Sequence, residues 1–101
     1  MPDTVVDEFG FALYLAQTGR THEHATPLKG FGGAGTLEVV SNHRGDTFRA
    51  IYTVHLAHRV YVLHCFQKKS RRGIATPRHD IELIRARYRM AKHHAETCSD
   101  E

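Results

Sequence analysis

The residues best suited to do chemistry lie in one run, His64-Cys65-Phe66-Gln67-Lys68-Lys69-Ser70-Arg71-Arg72. Lys68, Lys69, Arg71 and Arg72 are cations of the kind that contact the phosphate oxygens of nucleic acids. Their position directly after an apolar stretch predicts that a strand ends in a phosphate-binding segment. A solvated strand end is the structural alternative.

Aromatic and histidine side chains near this run could complete an RNA site. Phe66 can stack on an unpaired base, and Tyr52 or Tyr61 could do the same. His64 is a candidate general acid or base, because histidine exchanges protons readily near neutral pH. The alternative for His64 is a hydrogen-bonded, half-buried strand histidine.

Arg49 is unusual because it is surrounded by Phe48, Ala50, Ile51 and Tyr52. An arginine in such a strand must lie on an open face or have a partner. On an open face it could bind a phosphate and stabilise charge during phosphodiester cleavage. Alternatively, Glu38 on the neighbouring strand could pair with it. The residues themselves leave both explanations open.

The nine histidines and two cysteines do not form a recognisable metal-binding pattern. The clusters His22-Glu23-His24 and His93-His94 both lack four-ligand spacing, and Cys65 and Cys98 do not form a Cys-x-x-Cys pair. The sequence therefore predicts no metal site and no cofactor. Cys65 is expected to be a small core residue rather than a nucleophile.

Hydrophobic periodicity predicts a single α+β domain over residues 1–101, with an N-terminal helix, a three-stranded antiparallel meander and a C-terminal helix in at most two layers. The first helix covers 4–18, has Asp3 or Thr4 as N-cap and stops at Gly19. Residues 19–36 are expected to be a connection. The strands are 36–42, 46–55 and 59–68. Thr76 and Pro77 begin the last helix, and 95–101 form a disordered tail.

The register of the last hairpin decides whether His64 and Arg49 are neighbours. A two-residue connection would place Arg49 opposite His64, and a connection one residue longer would place it opposite Cys65. Leu56-Ala57-His58 lacks the glycine or asparagine that two-residue turns prefer, so both registers remain open.

Charge is distributed unevenly along the 101 residues. Residues 44–92 carry twelve basic and three acidic side chains, a net charge of +9, whereas residues 1–43 carry −3. A basic half of this kind is typical of proteins with a polyanionic partner. No apolar run is long enough to span a bilayer, and the start of the chain lacks the features of an export signal. We therefore expect no membrane association and a cytoplasmic protein with reduced thiols.

Several short segments resemble the phage-derived, HigB-like branch of the RelE superfamily of toxins. The similarity runs from about Asp7 to Lys92. The segments that carry it are Pro27-Leu28-Lys29-Gly30-Phe31, Phe48-Arg49-Ala50-Ile51-Tyr52, Val62-Leu63-His64-Cys65-Phe66-Gln67-Lys68-Lys69-Ser70, and Thr76-Pro77 with Asp80-Ile81 at the start of a basic helix.

The resemblance implies the toxin of a type II toxin–antitoxin pair, an endoribonuclease that cleaves ribosome-bound mRNA. It implies a helix-turn-helix antitoxin as partner, and cleavage through the 2′-hydroxyl of the substrate without metal or cofactor. By position, Arg49 and Lys69 match basic site residues of the superfamily, with Lys68 and Lys29 matched less closely. His64 is added as a catalytic candidate, and Phe66, Arg71 and Arg72 as RNA-binding candidates.

Two departures from the family pattern affect this expectation. Relatives usually have a β-strand and a helical segment before the part that matches Met1–Phe9, so we expect this chain to lack the first strand of the sheet. An exposed sheet edge would favour a homodimer or strand addition by a partner. A basic residue common in the first hairpin strand is replaced by Leu37-Glu38-Val39-Val40. Two alternatives to an endonuclease toxin remain. One is a catalytically silent RNA- or protein-binding module on the same scaffold, and the other is an interaction protein with an acidic partner.

Overall fold

The computed structural model describes residues 2–28, 35–56, 59–68 and 78–98, with the backbone alone at 55, 56, 68 and 98. The elements in chain order are α1 (Asp3–Gln17), β1 (Ala25–Pro27), β2 (Thr36–His43), β3 (Asp46–Leu56), β4 (Arg59–Lys68) and α2 (Arg78–Cys98). The strands form one antiparallel sheet in the order β1-β2-β3-β4. The predicted α+β class, the two helices and the meander are confirmed.

Strand β1 lies within the segment that the sequence predicted to be only a connection. Its three residues pair with β2, with Ala25 opposite Val39 and Pro27 opposite Leu37. A strand this short has no alternating pattern to detect, and it contains a proline, which sheets tolerate at an edge. The sheet therefore has four strands rather than three.

Helix α1 ends as predicted but begins differently. Gly19 has a φ of 82°, and the N–H groups of Arg20 and Gly19 donate to the carbonyls of Leu15 and Ala16, which is a Schellman motif. At the other end Pro2 is the N-cap and no side chain caps the helix. Thr4, an expected cap, is hydrogen-bonded through Oγ1 to Nδ1 of His43 at 3.0 Å.

The two helices pack on opposite faces of the sheet, so the domain has three layers rather than two. Val5, Phe9 and Ala12 of α1 pack with Phe48, Ala50 and Tyr52 of β3 and with Val39. Ile84 and Ala91 of α2 pack with Ile51, Leu63 and Leu28. Strand β3 is therefore covered on both sides, and the face that carries Arg49 is not the fully open face that the sequence suggested.

The ends of the remaining elements differ only in detail from the prediction. Arg44 and Gly45, with φ values of 50° and 86°, form the tight turn between β2 and β3. Helix α2 continues to Cys98 and Ala95 is buried, so the expected tail from residue 95 lies partly within the helix. The predicted cap residues Thr76 and Pro77 lie outside the described residues.

Candidate functional site

Arg49 is held by an ion pair with Glu38. Its Nη1 donates to Oε2 of Glu38 across 2.6 Å, and the two side chains are only 10% and 13% exposed. Glu38 lies opposite Ile51 in the sheet, so it is the diagonal neighbour of Arg49 on the adjacent strand. Of the two explanations that the sequence left open for Arg49, the structural partner is therefore present.

The last hairpin adopts neither of the two registers expected from the sequence. Leu56 pairs with Arg59 at one end of the hairpin, and Arg49 lies opposite Phe66. Ile51 pairs with His64 in the same register, and a register shift between Ile51 and Tyr52 then marks a β-bulge. Arg49 and Ile51 share a face, so Arg49, His64 and Phe66 all lie on the side of the sheet that α2 covers.

Both ring nitrogens of His64 have partners on α2. Nε2 lies 2.9 Å from Oδ1 of Asp80, and Nδ1 lies 3.2 Å from Nη1 of Arg87. A guanidinium group can only donate, so Nδ1 accepts and the ring proton is on Nε2, where it is donated to Asp80. His64 therefore has one defined tautomer, held by a carboxylate in the way that a catalytic dyad holds its base.

Asp80 and Arg87 are site residues that the sequence analysis missed. Arg87 also donates from Nη1 to the carbonyl oxygen of Leu63 at 2.9 Å, which ties α2 to β4 beside the bulge. The two residues are seven positions apart, close to two helical turns, so their side chains lie on one face of α2. That spacing identifies both residues as neighbours of β4 once α2 is placed on that strand.

Phe66 is stacked on His64, and the other two aromatic candidates are already engaged. The Phe66 and His64 rings are 4.7 Å apart at an interplanar angle of 17°. Tyr52 is fully buried between α1 and the sheet, so the prediction that it could stack a base is wrong. The hydroxyl of Tyr61 is 2.9 Å from Nδ1 of His94.

The basic run begins where the sequence placed it. Lys68 is the last residue of β4 and lies opposite Thr47, so the basic end of the strand returns to the end of the sheet where β3 begins. For Lys68 only the backbone is described, and Lys29, Lys69, Arg71 and Arg72 lie outside the described residues.

Cys65 is exposed rather than part of the core. Desolvation by the surrounding protein raises the pKa of its thiol above the usual value of 9.0. A raised pKa keeps the sulfur protonated at neutral pH, and the thiolate is the nucleophilic form. This agrees with the expectation that Cys65 is not a nucleophile, although its position differs from the one predicted.

Within the described segments, Glu8, His22 and His24 form the cluster whose ligand atoms lie close enough to share a metal ion. Glu8 is on α1, so this cluster is separated by the sheet from His64 and Asp80. No helix in the described segments combines the length and the low polarity needed to cross a bilayer.

Comparison with known proteins identifies a family but no close relative. A family model described as phage-derived protein Gp49-like (DUF891) matches residues 1–89, most of the chain. That family is associated with RelE/HigB-like toxins of toxin–antitoxin systems. No curated protein and no solved structure matches.

Proposed function

Because the chain belongs to the phage-derived Gp49-like family, we propose that it is the toxin of a type II toxin–antitoxin pair. We propose further that it is a ribosome-dependent mRNA endonuclease of the HigB-like kind. Family membership supports the first statement. The second rests on the arrangement of side chains between β4 and α2.

One observation carries the endonuclease proposal: His64 is fixed by Asp80 and Arg87 on the strand that runs directly into the basic residues. His64 is stacked on Phe66, and Lys68 follows two residues later in the same strand. A proton-transfer group, an aromatic ring and several cations are thus contributed by one short segment. These are the groups that cleavage of a single-stranded RNA needs.

The chemistry follows from the tautomer of His64. With Nε2–H donated to Asp80, Nδ1 is the nitrogen that can accept the proton of an RNA 2′-hydroxyl. The 2′-oxygen then forms a bond to the adjacent phosphorus and the bond from phosphorus to the 5′-oxygen breaks. The leaving oxygen takes a proton from a neighbouring ammonium group or from water. The lysines and arginines of the basic run stabilise the charge on the phosphate.

Arg87 connects RNA binding to the loss of its own hydrogen bond to Nδ1 of His64. Its guanidinium is on an exposed residue of α2 and covers Nδ1 of His64. An RNA phosphate would be a stronger, charged acceptor for the same Nη1 group. In this proposal the Arg87 Nη1 group donates to the phosphate instead of to His64 when RNA binds. Nδ1 of His64 is then available as the base.

The experiment is ribosome-bound mRNA cleavage, with growth arrest on expression as a second measurement. His64→Ala, Lys69→Ala and Arg49→Ala should each lower cleavage, with folding checked by circular dichroism. Arg59→Ala is the matched control, because Arg59 is an exposed cation at the opposite end of the same strand. Retained cleavage in folded Arg49→Ala and Lys69→Ala together would refute the assignment.

A catalytically silent RNA-binding module is the second candidate, and the ion pair between Glu38 and Arg49 favours it. A phosphate would have to compete with a carboxylate for Arg49, and His64 already has partners at both nitrogens. Salt-sensitive RNA binding without cleavage by the wild-type chain would select this function over the endonuclease.

The proposed protein partner is a helix-turn-helix antitoxin encoded beside this chain. Val6, Phe11 and Tyr14 leave about half of their surface exposed along α1, at 50%, 54% and 58%. A patch of this kind is typical of an interaction surface. Relief of growth arrest by the neighbouring gene product, together with copurification, would support the pairing. A partner that is a single acidic protein, with no RNA affinity in the chain, would instead favour an interaction protein.

A further inference from the structure

The segment after α1 turns back along the helix and places two histidines beside Glu8. The Schellman motif at Gly19 reverses the chain, and His22 and His24 follow before β1 begins. His22 is buried, with 7% of its side chain exposed, and its ring packs edge-on against Phe11 at 5.8 Å. His24 is exposed over 56% of its side chain, and Glu8 over 27%.

The three side chains present nitrogen and oxygen atoms to one point. Oε2 of Glu8 lies 3.2 Å from Nδ1 of His24 and 3.9 Å from Nε2 of His22. The three ligand atoms all lie within 4.8 Å of one another. Zinc–nitrogen and zinc–oxygen bonds are about 2.0–2.2 Å long, so donors that share one ion lie about 3–4 Å apart. The separations of the ligand atoms are therefore close to those of a site that holds one ion.

We propose that Glu8, His22 and His24 bind a divalent transition-metal ion of the zinc or nickel class. Two imidazoles and one carboxylate suit these metals, whereas magnesium and calcium prefer sites made entirely of oxygen ligands. Three protein ligands leave a fourth position for water. The ion would join α1 to the chain that leads into β1, on the side of the sheet away from His64.

The hydrogen bonding of His22 specifies what changes when the ion binds. Nδ1 of His22 accepts the backbone N–H of His24 at 3.0 Å, so the neutral ring carries its proton on Nε2, the atom that faces Glu8. Coordination through Nε2 requires the other tautomer, with the proton on Nδ1. The bond from the His24 amide is then lost. Metal binding therefore has a spectroscopic signature at two defined atoms, the ring nitrogens of His22.

The test uses the full chain without a polyhistidine tag, freed of metal by a chelator and titrated calorimetrically with zinc chloride and then nickel chloride. We expect one equivalent to bind. Glu8→Gln and His24→Ala should each weaken binding by at least about ten-fold. Even the loss of a residue that only hydrogen-bonds to a metal ligand can weaken binding by this much. Both residues are partly exposed, so these variants should fold. His93→Ala with His94→Ala is the matched control and should bind as the wild type does.

Two further measurements separate coordination from a simple hydrogen-bonded cluster. At the same zinc concentration, the melting temperature should rise by the same amount in the wild type and the control, and by clearly less in Glu8→Gln. Nitrogen-15 spectra should show the His22 proton moving from Nε2 to Nδ1 as zinc is added. Absence of saturable binding, binding that persists in the Glu8→Gln, His24→Ala double variant, or loss of binding in the His93/His94 control would overturn the proposal. RNA cleavage is not the readout, so the site can fail while the proposed function holds.

Discussion

Glu38 and Arg49 are diagonal neighbours on β2 and β3, and their side chains form an ion pair of 2.6 Å on the α2 side of the sheet. Both side chains are largely shielded from solvent, so water is a poor substitute for a lost partner. Removal of one member should therefore destabilise the fold. Arg49 contributes to the structure of the domain whether or not it also contacts RNA.

Replacement of Glu38 by alanine should lower the free energy of unfolding by about 3 kcal/mol, because it leaves the Arg49 charge buried without this carboxylate. Urea denaturation followed by circular dichroism measures the change. The comparison is Glu82→Ala, which breaks the exposed pair between Arg78 and Glu82 and should cost at most about 0.5 kcal/mol. Equal costs for the two variants would show that the buried pair has no special role.

Asp80→Asn should lower RNA cleavage by about 100-fold while the chain remains folded. An amide can donate to Nε2 of His64 as well as accept from it, so the tautomer that leaves Nδ1 as the base is no longer enforced. Single-turnover cleavage over a range of pH measures the effect. Glu82→Gln, an exposed change two residues along the same helix, should cleave at the wild-type rate. Unchanged cleavage by Asp80→Asn would remove His64 from the mechanism.

Tyr52→Phe should raise the free energy of unfolding by about 1 kcal/mol at neutral pH. The Tyr52 hydroxyl is buried, and it has no hydrogen-bond partner among the described residues. Removal of an unpaired buried polar group is favourable, because its desolvation is no longer required. Chemical denaturation measures the gain. A loss of stability would mean that the hydroxyl has a partner.

The same substitution should flatten the alkaline side of the stability profile. Burial raises the pKa of Tyr52 above its ordinary value of 10.0. The unfolded chain therefore loses this proton at a lower pH than the folded chain. The contribution of Tyr52 is fully present below about pH 10 and is lost as pH rises through the folded-state pKa. Tyr52→Phe should show a shallower decline above pH 10 than the wild type, and parallel profiles would contradict this.

Binding of single-stranded RNA should weaken steeply as salt concentration rises. The net charge of +9 over residues 44–92 makes several phosphate contacts available, and each contact releases counterions. Fluorescence anisotropy at increasing potassium chloride measures the slope. Lys69→Ala should reduce the slope by about one phosphate contact. An affinity that stays flat from low to moderate salt would favour a protein partner instead.

The isolated chain should self-associate at tens of micromolar through the apolar face of α1. Tyr14→Ser should shift the equilibrium toward monomer, because it removes an exposed aromatic ring without altering the core. Sedimentation velocity measures both species. Met90→Ser is the control, since Met90 is also an exposed apolar residue but lies on α2. A wild-type chain that sediments only as monomer would argue against the homodimer.

The sequence alone determined the order of the two helices and the antiparallel meander of β2, β3 and β4, although not the short edge strand β1. These properties follow from local patterns, namely the apolar spacing along α1 and the β-forming runs in β2 to β4. Gly19 and Gly45, which have positive φ values, mark the end of α1 and the turn between β2 and β3. It also located the segment from His64 to Lys68 as the candidate site, because the residue types there are unusual in any fold.

Only the tertiary structure decided which side chains meet. The bulge between Ile51 and Tyr52 changes the pairing of β3 with β4, and no local pattern encodes it. The choice of Glu38 as partner of Arg49 depends on how the strands align. Asp80 approaches His64, and Glu8 approaches His22, only when a helix packs on one face of the sheet. Contacts between residues far apart in the chain depend on the packing of all the elements together, which is why composition and periodicity could not specify them.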